Sequence, residues 1–114
     1  RTKRKLIKLI NYISKKNKTV FGYGASTKGN ILLDYFGLTN KQIKFIADRN
    51  PDKDGKFTPT NKIPIISELK ARKLNPHYYL VLPWHFKKEI LKREKKQIQK
   101  GVKFIFPLPE LKIY

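Results

Sequence analysis

The sequence predicts an α/β domain: a Rossmann-like, doubly wound, mostly parallel sheet with helices on both faces. Three observations lead to this prediction. Short runs rich in β-branched and aromatic residues alternate with segments of helical periodicity, a glycine turn joins the first such run to a helix, and the most apolar run comes late in the chain, as expected of a buried parallel strand. A length of 114 residues suits one domain, so we expect a single unit over 1–114.

The first predicted element is an amphipathic helix within residues 1–18. Its apolar residues recur at spacings of three and four: Leu6, Ile7, Ile10 and Ile13. Such spacing gives a helix one apolar face, and the remaining surface here is rich in lysine. The chain contains no methionine, and its first residue already belongs to this basic run. We therefore expect the sequence to be a domain cut from a longer protein.

A βαβ unit is predicted next. Residues 19–21 form a short β-rich run that ends in the glycine turn 22–26, and helical spacing returns over residues 28–36. The apolar residues expected to face inward from this helix are Ile31, Leu32 and Tyr35. Gly37 ends the helix, and residues 43–47 alternate as the following strand.

A second strand and helix follow a long loop. Residues 51–62 combine glycine, proline and charged residues with one large apolar side chain, so they are expected to form a loop. Residues 63–66 form a short strand whose proline indicates a sheet edge or a strand start. Ser67 then caps a short helix that ends near residue 73.

The last third of the chain repeats the alternation. Residues 78–82 are the most continuous apolar run and are predicted to form the centre of the sheet. A lysine-rich helix is predicted over residues 86–100, and a final strand over residues 102–106. The inward residues expected for that helix are Phe86, Ile90, Leu91 and Ile98.

The glycine turn is the strongest functional signal. Gly22 and Gly24 lie between a strand and a helix, and Asp48 ends the next strand, as in a dinucleotide-binding fingerprint. There the glycines permit a tight turn and let the backbone approach a phosphate at the helix N-terminus. Thr27 stands at the third glycine position, and the next glycine is Gly29, so the spacing leaves NAD binding open without indicating it. A purely structural βα turn, with Asp48 capping a loop, explains the same residues.

Several catalytic motifs can be excluded. A phosphate-binding P-loop needs Lys and Ser or Thr where Asn30 and Ile31 stand, and a nucleophile elbow needs glycine where Lys28 stands. Cysteine is absent, and His77 and His85 are the only histidines. Because these two have no spaced carboxylate partner, no metal site is predicted.

The segment after the central strand is a second candidate site. Trp84 and His85 follow the strand's carboxyl end, where this architecture binds ligands. The indole of Trp84 could stack on a base or a sugar, and His85 could donate a hydrogen bond. Core packing of Trp84 and a solvated imidazole for His85 are the competing interpretations.

The charge favours anionic partners. The formal net charge is +19, with 22 Lys and five Arg. Because guanine and phosphate recognition favours arginine forks, the excess of lysine argues against a specific nucleic-acid partner. Sixteen basic residues lie within residues 1–18 and 86–103, where helical spacing indicates solvated faces. No apolar stretch approaches the roughly 20 residues of a membrane span and no signal-peptide core is present, so we expect no membrane partner and a cytoplasmic location.

Three ordered motifs resemble the C-terminal domain of the sugar C-methyltransferase family. They are VFGYGASTKGNILL at 20–33, DRNP at 48–51 and LPWHF at 82–86. The similarity extends from about Leu6 to Glu110. Members of this family join an N-terminal zinc-binding part and a central S-adenosylmethionine-binding methyltransferase domain to a Rossmann-like C-terminal domain that helps hold a nucleotide-linked keto-deoxysugar. The resemblance implies that this chain is that last domain and that its partner is the methyltransferase domain upstream in the same protein.

The resemblance also implies the chemistry. A proton is removed next to a ketone and a methyl group is transferred to the carbanion, with the general base, S-adenosylmethionine and zinc all outside this chain, which alone should be inactive. No catalytic residue, cofactor or metal ligand is therefore predicted here. The predicted substrate-binding residues are Gly22, Tyr23, Gly24, Ala25, Ser26, Lys28, Asp48, Arg49, Asn50, Trp84 and His85. Thr27 and His85 stand where the family commonly has Ala and Asn, so the identity of the sugar or nucleotide stays open.

Two other functions compete with this one. An NAD(P)-binding oxidoreductase domain is favoured by Gly22, Gly24 and Asp48 and disfavoured by Thr27. A basic nucleic-acid-binding module is suggested by the charge of +19. It is disfavoured by the lysine excess and by the absence of an aromatic basic motif.

Overall fold

The structure is a computed structural model that describes residues 1–114. Its helices are α1 (Thr2–Lys15), α2 (Thr27–Phe36), α3 (Glu68–Lys73), α4 (Lys87–Arg93) and α5 (Lys95–Gln99). Its strands are β1 (Val20–Tyr23), β2 (Ile46–Asp48), β3 (Ile65–Ser67), β4 (Tyr78–Val81), β5 (Lys103–Phe106) and β6 (Lys112–Ile113). Short 3₁₀ turns at Pro51–Lys53 and Trp84–Phe86 precede β3 and α4.

The six strands form one sheet in the order β3-β2-β1-β4-β5-β6. The first five are parallel, and β6 runs antiparallel to β5. This arrangement confirms the α/β class, the mostly parallel sheet, the edge position of β3 and the central position of β4. The two exposed residues of β6 were not predicted, because they lack the apolar alternation of a half-buried strand. The doubly wound, Rossmann-like arrangement stays a prediction.

Neighbouring strand residues point into two separate hydrophobic clusters, which lie on opposite sides of the sheet because strand side chains alternate. The first cluster, called the aliphatic face here, packs Leu6 and Ile10 of α1 and Leu33 of α2 against the sheet. The second, called the aromatic face, includes Ala71 of α3 and Ile90 of α4. Its aromatic members are Phe21, Tyr23, Tyr79, Phe104 and Phe106. Both faces of the sheet are therefore covered by helices.

The buried stripe of α2 differs from the predicted one. Ile31 and Tyr35, expected to face inward, are 62% and 61% exposed, whereas Leu33 and Phe36 are buried. Both pairs satisfy helical spacing, so the sequence could not separate them. Gly29 determines which stripe packs: a Cβ at this position would lie 3.0 Å from Cβ of Leu82, so the missing side chain lets the helix approach the sheet on this side.

The single helix predicted over 86–100 is in fact two, α4 and α5, which meet at Glu94. Glu94 adopts φ −99° and ψ 19°, and its side chain is only 2% exposed. The buried carboxylate is held by partners on other elements. These contacts stabilise the interruption at Glu94 more than a continuous helix would. Phe86 is 51% exposed instead of inward, because it belongs to the 3₁₀ turn and lies outside the helical periodicity.

No helix in the chain combines the length and the apolar character needed to cross a bilayer.

Candidate functional site

The glycine turn joins β1 to α2 at the carboxyl end of the sheet. Gly24 has φ +90°, and a Cβ there would lie 2.8 Å from Cδ of Pro83, so conformation and packing both require glycine. Gly22 does not form the tight turn as predicted. It is a strand residue within β1, where a Cβ would lie 2.8 Å from Cγ1 of Ile46. Its role is close packing between neighbouring strands.

Asp48 fastens this turn from the end of β2. Its Oδ2 accepts the Ala25 N–H at 2.7 Å, and its Oδ1 accepts the Asn50 N–H at 2.8 Å. The Lys53 ammonium group donates to the Ala25 carbonyl. Asn50 in turn accepts the Asp52 N–H at 3.0 Å and so caps the 3₁₀ turn that follows. Asp48, Ala25 and Asn50 therefore hold the shape of the turn.

The first turn of α2 has donors that the protein does not use. Ser26 caps the helix, because its Oγ accepts the Gly29 N–H at 3.0 Å. The N–H groups of Thr27 and Lys28 donate to no protein acceptor. The exposed Lys28 side chain extends from the same turn. A helix start with free N–H groups and a cation can accommodate an anion such as a phosphate.

The predicted site residues are divided between two clefts that flank the carboxyl ends of β1 and β4. One cleft of about 440 Å³, called the ionic cleft here, includes Tyr23, Gly24, Asp48, Arg49, Glu68 and Arg93 in its lining. The other, of about 380 Å³ and called the apolar cleft, is lined by Lys28, Ile31, Leu32, Leu82, Trp84, His85 and Leu108. Gly22, Ala25, Ser26 and Asn50 line neither cleft. Their contacts are with the turn itself and with the strands beside it.

A buried carboxylate organises the ionic cleft. Glu94 Oε2 accepts the Tyr23 O–H at 2.7 Å, and Arg72 Nη2 lies 3.3 Å from both Glu94 carboxylate oxygens. Arg93 donates to the Tyr23 hydroxyl oxygen at 2.8 Å and forms an ion pair with Glu68. These contacts link β1, α3, α4 and the α4–α5 junction. The pairing satisfies a buried charge that would otherwise be strongly destabilising.

Burial and the contacts of this network also shift the pKa values of three of the groups at the ionic cleft and the aromatic face. Burial, followed by the hydrogen bond and charge of Glu94, raises the pKa of Tyr23 well above its usual value. Burial raises the pKa of Tyr79, the neighbouring ring on the aromatic face, to about 12. Burial alone would lower the pKa of Arg93, but the hydrogen bond to Glu68 raises it above the usual value. Tyr23 therefore stays a neutral hydrogen-bond donor at physiological pH and does not act as a base.

The apolar cleft is built differently. The Trp84 ring meets His85 edge-on at a centroid distance of 5.3 Å, and His85 lies 4.7 Å from the Phe86 ring. Trp84 also packs against the aromatic cluster, so its indole is partly core and partly cleft wall. His85 is exposed. The ring of Trp84 can stack on a ligand and His85 can donate a hydrogen bond from the same wall.

Sequence reasoning missed the ion-pair network. One signal was available: Glu94 is four residues from both Ile90 and Ile98, so it stood at an inward position of the predicted helix. An acidic residue at such a position indicates a buried partner. Glu68 and Arg72 also have the i,i+4 spacing of a helix ion pair.

A third cleft, of about 580 Å³, lies at the amino ends of the strands and contains none of the predicted site residues. Its basic residues are Lys18, Arg72, Lys73, Lys100 and Lys103. Three of these follow or end α1, α3 and α5. Cations at helix C-termini compensate the helix dipole, and this accounts for their accumulation here.

Comparison with known proteins gives two findings. Residues 1–109 match the family described as the C-methyltransferase C-terminal domain. The chain is also 39% identical over 113 residues to the C-methyltransferase NovU of Streptomyces niveus. That alignment covers 99% of this chain but 27% of the relative, so the chain spans about a quarter of the relative's length.

Proposed function

This chain belongs to the family of C-methyltransferase C-terminal domains, and from that premise we propose that it binds and positions a nucleotide-linked deoxysugar. The rest of the parent protein would supply the reaction, in which a proton is removed next to a ketone and S-adenosylmethionine methylates the carbanion. We infer that the chain has no activity alone. Its sheet is then Rossmann-like and doubly wound, a description supported by the order β3-β2-β1-β4-β5 and by helices on both faces.

We assign zinc and the methyl donor to other parts of the parent protein. The residues of this chain do not fit a zinc site: cysteine is absent, and no group of three His, Asp or Glu side chains converges. What this chain would contribute to the reaction is binding and orientation of the substrate.

The first turn of α2 carries the proposal. The free N–H groups of Thr27 and Lys28 and the Lys28 ammonium group suit the diphosphate of a nucleotide-linked sugar. On one side lie Trp84 and His85 in the apolar cleft, which suit a ring and its hydroxyl groups. On the other side lies Arg49 in the ionic cleft, which belongs to no ion pair within the chain.

A nucleotide-linked sugar would cross the glycine turn between the two clefts. Tyr23 and Gly24 line the ionic cleft beneath this path. Ala25, Ser26, Asp48 and Asn50 would contribute through the shape of the turn. Gly22 would contribute through the close packing of β1 against β2. This division of roles keeps all the predicted substrate-binding residues at one end of the sheet, where α/β proteins bind their ligands.

The competing functions are not favoured. The family is one of C-methyltransferases, not oxidoreductases. In a dinucleotide site the acidic residue after the second strand bonds a ribose hydroxyl. Here each oxygen of Asp48 already accepts a backbone N–H. A nucleic-acid module is disfavoured as well, because the third cleft, where basic residues accumulate, has no exposed Phe, Tyr or Trp in its lining.

Steady-state kinetics of the full-length enzyme test the proposal. Lys28→Ala should raise KM for the nucleotide-linked sugar about tenfold with a smaller change in kcat, because a charged contact is lost from both the ground state and the transition state. Lys88→Ala is the matched control, since Lys88 is also exposed and also the second residue of its helix. Equal KM values for the two variants would contradict the role of Lys28.

A further inference from the structure

The outward surface of α2 carries an exposed apolar stripe. Ile31 and Tyr35 are 62% and 61% exposed, although both are large apolar or aromatic residues. With Lys28 they have the i, i+3, i+7 spacing of a single helix face, about 10 Å long. The Ile31 end of the stripe continues into the apolar cleft. Exposed apolar side chains that adjoin a cleft are typical of interaction sites.

The charge pattern singles out the same helix. The chain carries 27 basic residues, and α1 has five of them with no acidic residue. Each of α3, α4 and α5 also has more basic than acidic residues. By contrast, α2 has one Lys and one Asp, so its net charge is zero. Loss of charge together with exposed aromatic and aliphatic side chains is typical of the core of a protein interface.

We propose that this stripe, Ile31 and Tyr35 with the adjoining wall of the apolar cleft, is the docking surface for the domain that precedes this chain in the parent protein. The inference rests on the proposed function, because a C-terminal domain is joined to the rest of its protein ahead of α1. The amino end of α1 lies against the stripe: the Lys3 ammonium nitrogen is 5.4 Å from the centre of the Tyr35 ring. The preceding polypeptide therefore arrives beside the surface that it would cover.

A docked domain would also complete the substrate site. The stripe lies on the same helix face as Lys28, which lines the apolar cleft together with Ile31 and Trp84. A domain packed on Ile31 would close that cleft from the side of α2. Lys28 would then lie at the boundary between the two domains, where the reacting part of the substrate must meet the catalytic groups.

The chain provides an internal control for a test on the unmodified full-length protein. Tyr12 is 59% exposed and carries the Lys16 ammonium nitrogen 5.5 Å from its ring centre, so it matches Tyr35 in residue type, exposure and lysine contact. Hydroxyl-radical footprinting with mass spectrometry should find Tyr35 modified several-fold more slowly than Tyr12. Equal rates would overturn the proposal, as would a protection of Tyr35 that disappears on dilution, because that result would indicate a second copy as the occupant.

A pair of double variants provides an independent measurement. Ile31→Glu with Tyr35→Glu should make the full-length protein several-fold more susceptible to proteolysis in the segment ahead of α1, because charges in an interface core disfavour docking. Leu69→Glu with Leu74→Glu is the control: it adds the same charge at apolar residues that are 62% and 54% exposed, in α3 and directly after it. Equal cleavage of the two proteins would contradict the docking surface. Neither measurement uses substrate. A negative result here would therefore contradict the docking surface alone, whereas an unchanged KM in Lys28→Ala would contradict the proposed substrate site.

Discussion

The two faces of the sheet are built from different side chains. The aliphatic face buries fifteen residues, of which Phe36 alone is aromatic. On the aromatic face five of nine buried residues are aromatic, and the Tyr79 and Phe104 rings stack at 5.2 Å. The aromatic face alone also holds a charge network, in which Glu94 is buried against Tyr23 and Arg72.

This difference in composition determines whether polar groups can be buried on each face. A tyrosine contributes apolar area and a hydroxyl donor at once, so the aromatic face can satisfy a buried carboxylate without an opening to solvent. None of the fifteen buried residues of the aliphatic face has a hydroxyl donor. The unused N–H groups of α2, which packs on this face, lie at the first turn of the helix. We propose that the aromatic face supports the turn, and that the α2 side contributes the anion-binding N–H groups and the contact surface for the neighbouring domain.

The largest expected effect comes from breaking the buried network. Glu94→Gln removes the charge that compensates Arg72 and Arg93, and it should lower the free energy of unfolding by about 3 kcal/mol. Urea unfolding of the protein measures this change. Glu89→Gln, an exposed substitution in α4 with the same loss of charge, should change it by less than about 0.5 kcal/mol. Similar small losses in both variants would show that the aromatic face does not depend on its ion pairs.

An intermediate loss of folding stability is expected at the glycine turn, which lies between the two clefts. Gly24→Ala places a Cβ 2.8 Å from Pro83 and forces alanine to φ +90°, so it should cost about 2 kcal/mol. Gly55→Ala meets the same backbone strain at φ +84° but has nothing within 4 Å, so about 1 kcal/mol is expected. The difference between the two unfolding midpoints isolates the contact with Pro83. Coinciding midpoints would show that Pro83 moves away from the added methyl group and that the contact has no measurable cost.

The smallest expected effect is a loss of folding stability at alkaline pH. The pKa of buried Tyr79 is about 12, above its usual 10, so the folded state keeps the proton that the unfolded state loses. This contribution is complete below pH 10 and is lost as pH rises toward 12, by about 1 kcal/mol at pH 11. Tyr79→Phe should therefore lose less stability than the wild type between pH 9 and pH 11 in urea unfolding. Parallel pH profiles would contradict a raised Tyr79 pKa.

The sequence was sufficient to predict most elements but not which side of a helix packs. Alternation of strand and helix, the proline of β3 and the apolar run of β4 depend on local patterns, and the structure confirms them. In α2, however, Ile31 with Tyr35 and Leu33 with Phe36 have equally helical spacings. The choice depends on the close approach of Gly29 to Leu82, a tertiary contact that no local pattern contains.

The site was predicted in its parts but not in its arrangement. The sequence indicated the carboxyl ends of β1, β2 and β4, and the structure brings those segments together at one end of the sheet. The sequence did not reveal that the site residues are divided between two clefts, because this division depends on the side of the sheet on which each side chain lies. The Glu94 network joins residues 22 to 71 positions apart, beyond the range of spacing arguments.

We propose that the turn between β1 and α2 binds a nucleotide-linked sugar and not a dinucleotide cofactor. Equilibrium binding to the full-length protein tests it most directly, with nucleoside diphosphate hexoses and NAD measured on the wild type and on Asp48→Asn. Asparagine offers one acceptor oxygen where the carboxylate offers two, so the turn loses the bond to Ala25 or Asn50. We predict that sugar-nucleotide affinity falls in the variant and that NAD binds neither protein. Micromolar NAD binding by the wild type, lost in Asp48→Asn, would contradict the account.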